Sequence, residues 1–364
     1  MNFELDESQV ALRDLAADLF AKRVDPARIE KVEATADRFD RELWAALAEA
    51  GLLGVVVPEG RDGLGFGAVE LTLVLEQLGR SVAPVPMAEV VAASWFLADR
   101  GSPEQQAAWL PGIADGSKVV VVAAPQSTVG VRADGTRLTG AAVGVAWAHV
   151  ADAILLPVDG RVFLVELDAE GLSVDRGETT GRQIALDLTL AHTPAEAVGA
   201  EGAAADLRQR SRVALAAVQA GVTDAAVRLT ATYTSEREQF GKPLSTFQAV
   251  ALKAADAYLD ATAIRATTLQ AAWFLSEGVD AELQTLTAAW WAAEAGQHCV
   301  HLTQHLHGGM GADVTYPVHR YFLWGKQIEL LLGGASALLA ELGDGLERHP
   351  DAGDALVLSP EPGR

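Results

Sequence analysis

Apolar residues recur at helical spacing through the first part of the chain, with charged residues between them. Leu15 and Leu19 belong to one such stripe, and this spacing is typical of amphipathic helices. Pro103 predicts the start of the last helix of this part, and Pro111 with the glycine after it predicts the end. We therefore predict an N-terminal helical domain over residues 1–116.

The pattern changes in the middle of the chain, where short apolar or β-branched runs are separated by glycine and proline. The runs include VVVVAAP, GVAW, AILLPV and RVFLVEL, and such runs are typical of strands joined by turns. Asp134-Gly135 and Asp159-Gly160 have the composition of hairpin turns. The pattern predicts an antiparallel sheet or a small barrel over residues 117–205.

Alanine-rich segments with helical periodicity fill the last part of the chain. Leu215 and Val218 begin one of them, and long helices of this kind favour a bundle. We predict a C-terminal four-helix bundle over residues 206–350 and a loose tail over 351–364, which contains Pro and Gly. The fold class is thus α+β and mainly α. The order helices, sheet, helices argues against a Rossmann fold.

Charge narrows the range of partners. The 364 residues include 49 Asp and Glu against 28 Lys and Arg, a net charge of -21 at pH 7. Proteins that bind nucleic acid or anionic membrane surfaces are typically basic, so neither class is expected here. An anionic ligand would have to be held by a local basic cluster or by helix N-termini.

The sequence contains no evident targeting or membrane segment. It starts MNFELDESQ, which is acidic where a signal peptide would be basic. The apolar stretch from Gly140 to Val158 is interrupted by His149 and Asp152, short of the roughly 20 apolar residues of a membrane span. The single cysteine, Cys299, excludes an internal disulfide. These features predict a cytoplasmic protein.

One candidate binding segment is REQFGKP, residues 237–243, followed by Phe247 and Gln248. Arg237 and Lys242 lie on either side of a glycine at the predicted break between two long helices, where the next helix has free N–H groups. The combination predicts an anion site. The alternative is a helix corner in which Arg237 pairs with a nearby carboxylate.

A second candidate segment is HLHGGMG, which begins at His305. Gly308 and Gly309 permit close approach of the backbone to a ligand. His301, His305 and His307 have spacing that raises the possibility of a metal site, but no carboxylate is placed as a further ligand. We therefore predict no metal, and histidines that pack or hydrogen-bond at a helix end.

Together the segments REQFGKPLSTFQ and HGGMG…YPVHRY resemble the two late signatures of the acyl-CoA dehydrogenase family, and LWAALAEAGLLGVVVPEG matches its first domain in pattern. The resemblance covers nearly the whole chain. It implies FAD as cofactor and α,β-dehydrogenation of an acyl-CoA thioester. In that reaction a glutamate removes the α-proton and the β-hydrogen leaves as hydride to the flavin.

The sequence departs from the family where the base is expected. The resemblance implies a glutamate at the position of Thr315 or, in some relatives, near Ser211, and neither residue is a base. Asp313 is the fallback candidate for a displaced base. The flavin-ring segments are also changed, to Ala124–Thr128 and Val145–His149.

The other differences from the family follow the same division between residues that contact the flavin ring and residues that hold its phosphate and adenine end. The family's Glu-Gly-Thr has become Gly-Gly-Ala at residues 333–335, and His305 replaces a glutamine. In the family the flavin lies at a subunit interface, with its ring and base in one chain and its pyrophosphate and adenine held by the neighbour. The resemblance implies that this chain keeps the second half-site, through Arg237, Gln239, Phe240, Gln248, His305, Gly308 and Gly309.

This combination resembles the base-lacking subunits of actinobacterial α2β2 acyl-CoA dehydrogenases that act in steroid side-chain degradation. The resemblance implies a homologous base-bearing partner and a bulky CoA thioester as substrate. Two alternatives remain open. One is a self-sufficient enzyme that uses Asp313 as base, and the other is a non-redox scaffold or CoA-binding regulator that keeps only the fold.

Overall fold

The computed structural model describes residues 4–350. The predicted loose tail, residues 351–364, lies outside the described residues. Within the described part, helices come first, strands second and helices again last, which confirms the predicted fold class. The exact domain boundaries stay a prediction, although the change from helix to strand falls between Ala114 and Val120.

The N-terminal part consists of six helices whose starts follow from their capping residues. Asp6 and Ser102 each form a capping box with a glutamine three residues later, which satisfies N–H groups at the helix start. The bounds are α1 (Glu7–Arg23), α2 (Pro26–Glu33), α3 (Arg41–Glu49), α4 (Ala68–Ser81), α5 (Met87–Arg100) and α6 (Pro103–Ala114).

The predicted end of α6 at Pro111 is wrong, because the helix runs through this proline to Ala114. A proline inside a helix removes one hydrogen bond. Here the next turn is held by burial of Ile113, which is fully buried, and by the bond from the Asp115 N–H to the Pro111 carbonyl. Packing therefore outweighs the local preference of proline.

The middle part contains two four-stranded sheets rather than a barrel. The first has the order β1-β4-β5-β8 and the second the order β2-β3-β7-β6. Pairing is antiparallel as predicted, except that β1 pairs with β4 in parallel. The bounds are β1 (Val120–Val122), β2 (Thr128–Asp134), β3 (Arg137–Ala146), β4 (Ala153–Val158), β5 (Arg161–Glu166), β6 (Leu172–Glu178), β7 (Ile184–Pro194) and β8 (Glu196–Val198).

Both predicted turns lie in hairpins. Asp134 and Gly135 fall where β2 turns into β3. Asp159 and Gly160 join β4 to β5 with φ angles of 48° and 78°, the left-handed backbone that a tight hairpin turn requires.

The C-terminal part is a bundle of α7 to α10 with α11 packed against α9. A two-strand hairpin of two residues each, β9 and β10, connects α7 to α8. The bounds are α7 (Ala203–Glu236), β9 (Glu238–Gln239), β10 (Lys242–Pro243), α8 (Gln248–Ser276), α9 (Glu282–Leu306), α10 (Val318–Leu331) and α11 (Ala335–Arg348).

Two glycines let the N-terminal helices touch the bundle. A Cβ at Gly79 of α4 would lie 2.0 Å from the Val218 carbonyl, and a Cβ at Gly221 of α7 would lie 2.0 Å from the Glu76 carbonyl. The backbones of α4 and α7 therefore contact each other directly. Among the described helices, α7 is long and apolar enough to cross a membrane, but 67% of its most apolar window is buried in the protein, as in a core helix.

Candidate cofactor half-site and the adjoining cavity

The first signature forms the corner between α7 and α8. The Arg237 N–H donates to the Tyr233 carbonyl and so ends α7, and the Arg237 carbonyl accepts from the Leu244 N–H. Phe240 has a φ of 53° and leaves 93% of its surface exposed. An aromatic side chain this exposed is available to contact a ligand or another chain.

The second signature forms the turn after α9. Gly308 has a φ of 58°, and a 3₁₀ turn covers Gly308–Ala312. The Gln304 side chain donates to the Gly311 carbonyl and fixes the far side of this turn. A Cβ added at Gly308 or Gly309 would meet no atom within 4 Å, so packing inside the chain does not explain the glycine at position 309.

The two signatures meet through their aromatic residues. The Tyr233 ring stacks on His307 with centroids 4.5 Å apart, and the Tyr316 ring lies 5.3 Å from His307. The Tyr233 hydroxyl also donates to the His307 carbonyl at 3.4 Å. The structure thus brings together the ends of two segments that are distant in sequence.

The predicted half-site residues share one property, which is exposure to solvent, although the Phe240 ring also contacts the Phe247 ring with centroids 6.3 Å apart. Within residues 4–350, the side chain of Arg237 forms no ion pair or hydrogen bond, so the alternative of a carboxylate partner is not found. The polar side chains of the half-site are therefore free to meet a ligand. The exposed residues are Arg237, Gln239, Phe240, Gln248, His305, Gly308 and Gly309.

Thr315 and Asp313 lie together in a surface turn. The Asp313 carboxylate accepts from the Thr315 N–H and from its hydroxyl, both at 2.8 Å. These bonds lower the pKa of Asp313 from its ordinary value. Because hydrogen bonds to the ionised form weaken a carboxylate as a base, Asp313 is poorly suited to the fallback role.

Ser211 lies elsewhere, on a small cavity between α5, the middle sheets and the bundle. The cavity has a volume of about 50 Å³, and neither Thr315 nor Asp313 lines it. Leu331, at the far end of α10, is the residue that this helix contributes. The 14 residues of α10 span roughly 20 Å, so a base at position 315 would not reach a substrate held beside Ser211.

The changed flavin-ring segments line this cavity. Ala124, Pro125 and Val145 line it, and the Gln126 amide donates to the last carbonyls of α10, those of Leu330 and Leu331, at 2.9 and 2.8 Å. An adjoining cavity measures only about 30 Å³. Ligand pockets typically measure about 300–1,000 Å³, so these residues do not fit a flavin ring.

The carboxylate that lines the cavity is Glu89 of α5, which sequence reasoning missed. Burial raises its pKa from 4.5 to about 7, and no charged neighbour contributes to the shift. Within residues 4–350 its side chain has no hydrogen-bond partner on another residue. The signal was a lone acidic residue in the apolar run MAEVVAASWFL.

The histidines of the second signature do not converge on a metal. His301 and His305 are exposed whereas His307 is 2% exposed. In residues 4–350 no group of three or more His, Cys, Asp or Glu side chains could hold a metal ion. Cys299 is fully buried in the bundle.

Known proteins match the chain across these elements. The family model described as "Acyl-CoA dehydrogenase, N-terminal domain" matches residues 6–117, and the one described as "Acyl-CoA dehydrogenase, C-terminal domain" matches residues 200–343. The chain belongs to the acyl-CoA dehydrogenase family. "Acyl-CoA dehydrogenase FadE27" of Mycobacterium tuberculosis is 37% identical over 96% of this chain and 100% of its own length.

Two solved structures of the same family are also similar. One is described as "Tcur3481-Tcur3483 steroid ACAD G363A variant", with 43% identity, a TM-score of 0.91 and coverage of 94% of this chain and 99% of its own. The other is the ChsE4-ChsE5 complex of Mycobacterium tuberculosis, with 38% identity, a TM-score of 0.91 and coverage of 95% and 99%. The predicted resemblance to heteromeric steroid enzymes is confirmed, and FAD is the cofactor of this family.

Proposed function

We propose that this chain is one subunit of a heteromeric, FAD-dependent acyl-CoA dehydrogenase and holds the phosphate and adenine end of an FAD whose ring lies in a partner subunit. The observation that supports this most is the contrast between the two half-sites. The polar side chains of the phosphate and adenine half-site are exposed and have no hydrogen-bond partner within residues 4–350. In the ring half-site the Gln126 amide is instead bonded to the end of α10, and the cavity beside it measures only about 50 Å³. Both of the similar solved structures are named as two-component assemblies.

The residues present divide the work of holding the cofactor. Arg237 offers a guanidinium for the anionic phosphates, and charge-assisted hydrogen bonds of this kind are strong. Gly308 and Gly309 let the backbone approach the cofactor closely. Gln239 and Gln248 offer amides for the adenine and ribose groups, Phe240 an aromatic face, and His305 stands in for the family's glutamine. When bound, FAD supplies the hydride acceptor of the dehydrogenation.

The proton-abstracting base comes from the partner in this proposal. Ser211 and Leu331 face this chain's own cavity and neither is a base. Glu89 lies on the same cavity, but the cavity is too small to admit a thioester beside it. A general base must come within hydrogen-bond reach of the proton that it removes, so we expect the isolated chain to be inactive.

An exposed apolar face next to the half-site supports contact with another subunit. Leu252 and Leu259 are seven residues apart on α8 and are 59% and 64% exposed, which places them on the same side of the helix. Phe240 at the corner before α8 is 93% exposed. Exposed apolar patches of this kind mark protein interfaces. We propose a homologous base-bearing acyl-CoA dehydrogenase as the partner, in an α2β2 assembly.

The substrate in this proposal is a bulky CoA thioester. Its acyl group is a steroid side chain, because one similar structure is named a steroid ACAD. The proposed location is cytoplasmic.

The test is co-expression with the homologous partner from the same genome, followed by counting chains and flavin in the purified complex. We expect two chains of each kind and one FAD for each pair. Arg237→Ala should lower flavin content, and Lys253→Ala at a half-buried position of α8 is the matched control. A chain that forms a flavin-loaded, active homotetramer alone would refute the proposal, and a complex without flavin would favour a non-redox scaffold.

A further inference from the structure

Three rings lie beneath both parts of the proposed half-site. We call Tyr233, His307 and Tyr316 the three-ring cluster. Tyr233 holds the first signature, because its carbonyl accepts from the Arg237 N–H at 2.8 Å. His307 directly precedes Gly308, and Tyr316 ends the segment that follows the glycine turn. The position of His307 therefore affects both signatures.

The hydrogen bonds of His307 fix its tautomer. Its Nδ1 lies 2.8 Å from the Thr303 carbonyl. Because a carbonyl only accepts, Nδ1 carries the proton and Nε2 carries the lone pair. Nε2 is buried and has no hydrogen-bond partner within residues 4–350. Protonation would place a buried N–H with no acceptor at Nε2, which is costly.

No neighbouring charge favours the protonated ring. Burial lowers the pKa of His307 below its ordinary 6.5, opposed only by the bond to Thr303. No carboxylate within residues 4–350 forms an ion pair with its imidazole. The charged and titratable side chains on its own helix end, on the last turn of α7 with the residue after it, and on the segment up to the first turn of α10 are Tyr233, Glu236, Arg237, His305, Asp313, Tyr316, His319 and Arg320.

We propose that His307 is a positioning residue that must be neutral, because its stacked ring couples the Arg237 corner to the Gly308 turn and its protonation releases that turn. This inference rests on the proposed function, since it treats these two segments as one FAD half-site.

The packing of the His307 ring explains why its protonation would release the turn at Gly308. A protonated His307 must bring Nε2 to water or to an acceptor, so the ring leaves its stack on Tyr233 and its contact with Tyr316. The ring then no longer holds the turn that begins at Gly308, where φ is 58°, so the turn loses its fixed orientation.

The first experiment measures the dissociation constant of FAD from the complex between about pH 5 and pH 8. Below the pKa of His307 the constant should rise by about tenfold for each pH unit. His307→Phe keeps a ring for Tyr233 and cannot titrate, so its FAD complex should show no acid-induced weakening and its dissociation constant should lie within about threefold of wild type at pH 8. His307→Gln is a second neutral variant that should also lack the acid-induced weakening.

His301→Gln is the matched control, because His301 lies on the same helix, is exposed and contacts Phe322 rather than the three-ring cluster. Its profile should match wild type. An acid-induced loss of FAD that persists unchanged in His307→Phe and His307→Gln would overturn the inference. A tighter FAD complex at low pH in wild type would also overturn it.

A second measurement separates this inference from the proposed function. Amide hydrogen exchange of residues 308–316 is followed in the full chain without FAD. After correction for the intrinsic pH effect, protection should fall at low pH in wild type and stay constant in His307→Phe. If FAD never binds the complex, the proposed function fails while this measurement still tests His307. If FAD binds and protection does not depend on His307, only the inference about His307 fails.

Discussion

Replacing Glu89 by glutamine should stabilise the protein at alkaline pH. Glu89 faces a small apolar cavity, and burial raises its pKa from 4.5 to about 7. One pKa unit corresponds to about 1.4 kcal/mol, so the full shift corresponds to about 3 kcal/mol in the free energy of unfolding. Because part of the residue contacts solvent, we expect about 2 kcal/mol.

The sign of this effect depends on pH. Below pH 4.5 the carboxyl is neutral in both the folded and the unfolded chain, so it carries no ionisation penalty. As the pH rises, the unfolded chain ionises first and the folded state loses relative stability until about pH 7. The Glu89→Gln variant should therefore gain over wild type at about pH 8 and gain little at about pH 4.5.

Urea unfolding at both pH values measures this difference. Glu30→Gln, at an exposed position of α2, is the matched control and should change the free energy of unfolding by less than about 0.5 kcal/mol. A Glu89→Gln variant that is less stable than wild type at pH 8 would refute the reasoning. A gain of equal size at both pH values would show that packing, rather than ionisation, is the cause.

Three further predictions concern the proposed FAD half-site and the changed flavin-ring segment that contains Gln126. Arg237→Ala should weaken FAD binding to the complex by at least about tenfold, since bonds to charged groups contribute about 1.5–3 kcal/mol; binding unchanged in a fluorescence titration would contradict the role of Arg237. Gln126→Ala should lower the free energy of unfolding by about 0.5–1 kcal/mol, because two carbonyls of α10 exchange their side-chain donor for water; Gln9→Ala, in the α1 capping box, is a comparison in which FAD content should not change. Gly308→Ala should cost about 1 kcal/mol through its positive φ, whereas Gly309→Ala should be tolerated in stability and should weaken FAD binding.

The helices and strands could be predicted because their cores have simple periods. Leu43 and Leu47, one turn apart on α3, are 1% and 0% exposed. The helical period of apolar residues was a less reliable guide to burial where those residues lie on an exposed face. Leu252 and Leu259 continue the helical pattern of α8 and yet lie on its exposed side. Periodicity identifies an apolar face without showing whether the same chain or another subunit covers it.

The candidate site was predicted in part. Short signatures place Arg237 and Gly308 correctly on exposed turns because such turns are local features of the chain. The base position is not local, because it depends on where α10 carries the chain. Counting from the glycine pair leads to Thr315 on the surface, whereas the cavity is lined by Leu331 at the other end of that helix. Glu89 was missed for the same reason, since its burial arises from three domains meeting.

Arg237 lies in a strongly acidic chain. In a chain with a net charge of -21, an arginine readily finds a carboxylate. Arg320 and Arg182 both bind Glu33 and join α2 to the later domains, and Arg212 binds Glu341. Arg237 is exposed, and no carboxylate within residues 4–350 pairs with it, which is also true of the exposed Arg23 and Arg132. What distinguishes Arg237 is its place at the corner before α8, which the Tyr233 and His307 rings join to the glycine turn. We propose that the anion it meets there is the phosphates of a cofactor shared with a partner.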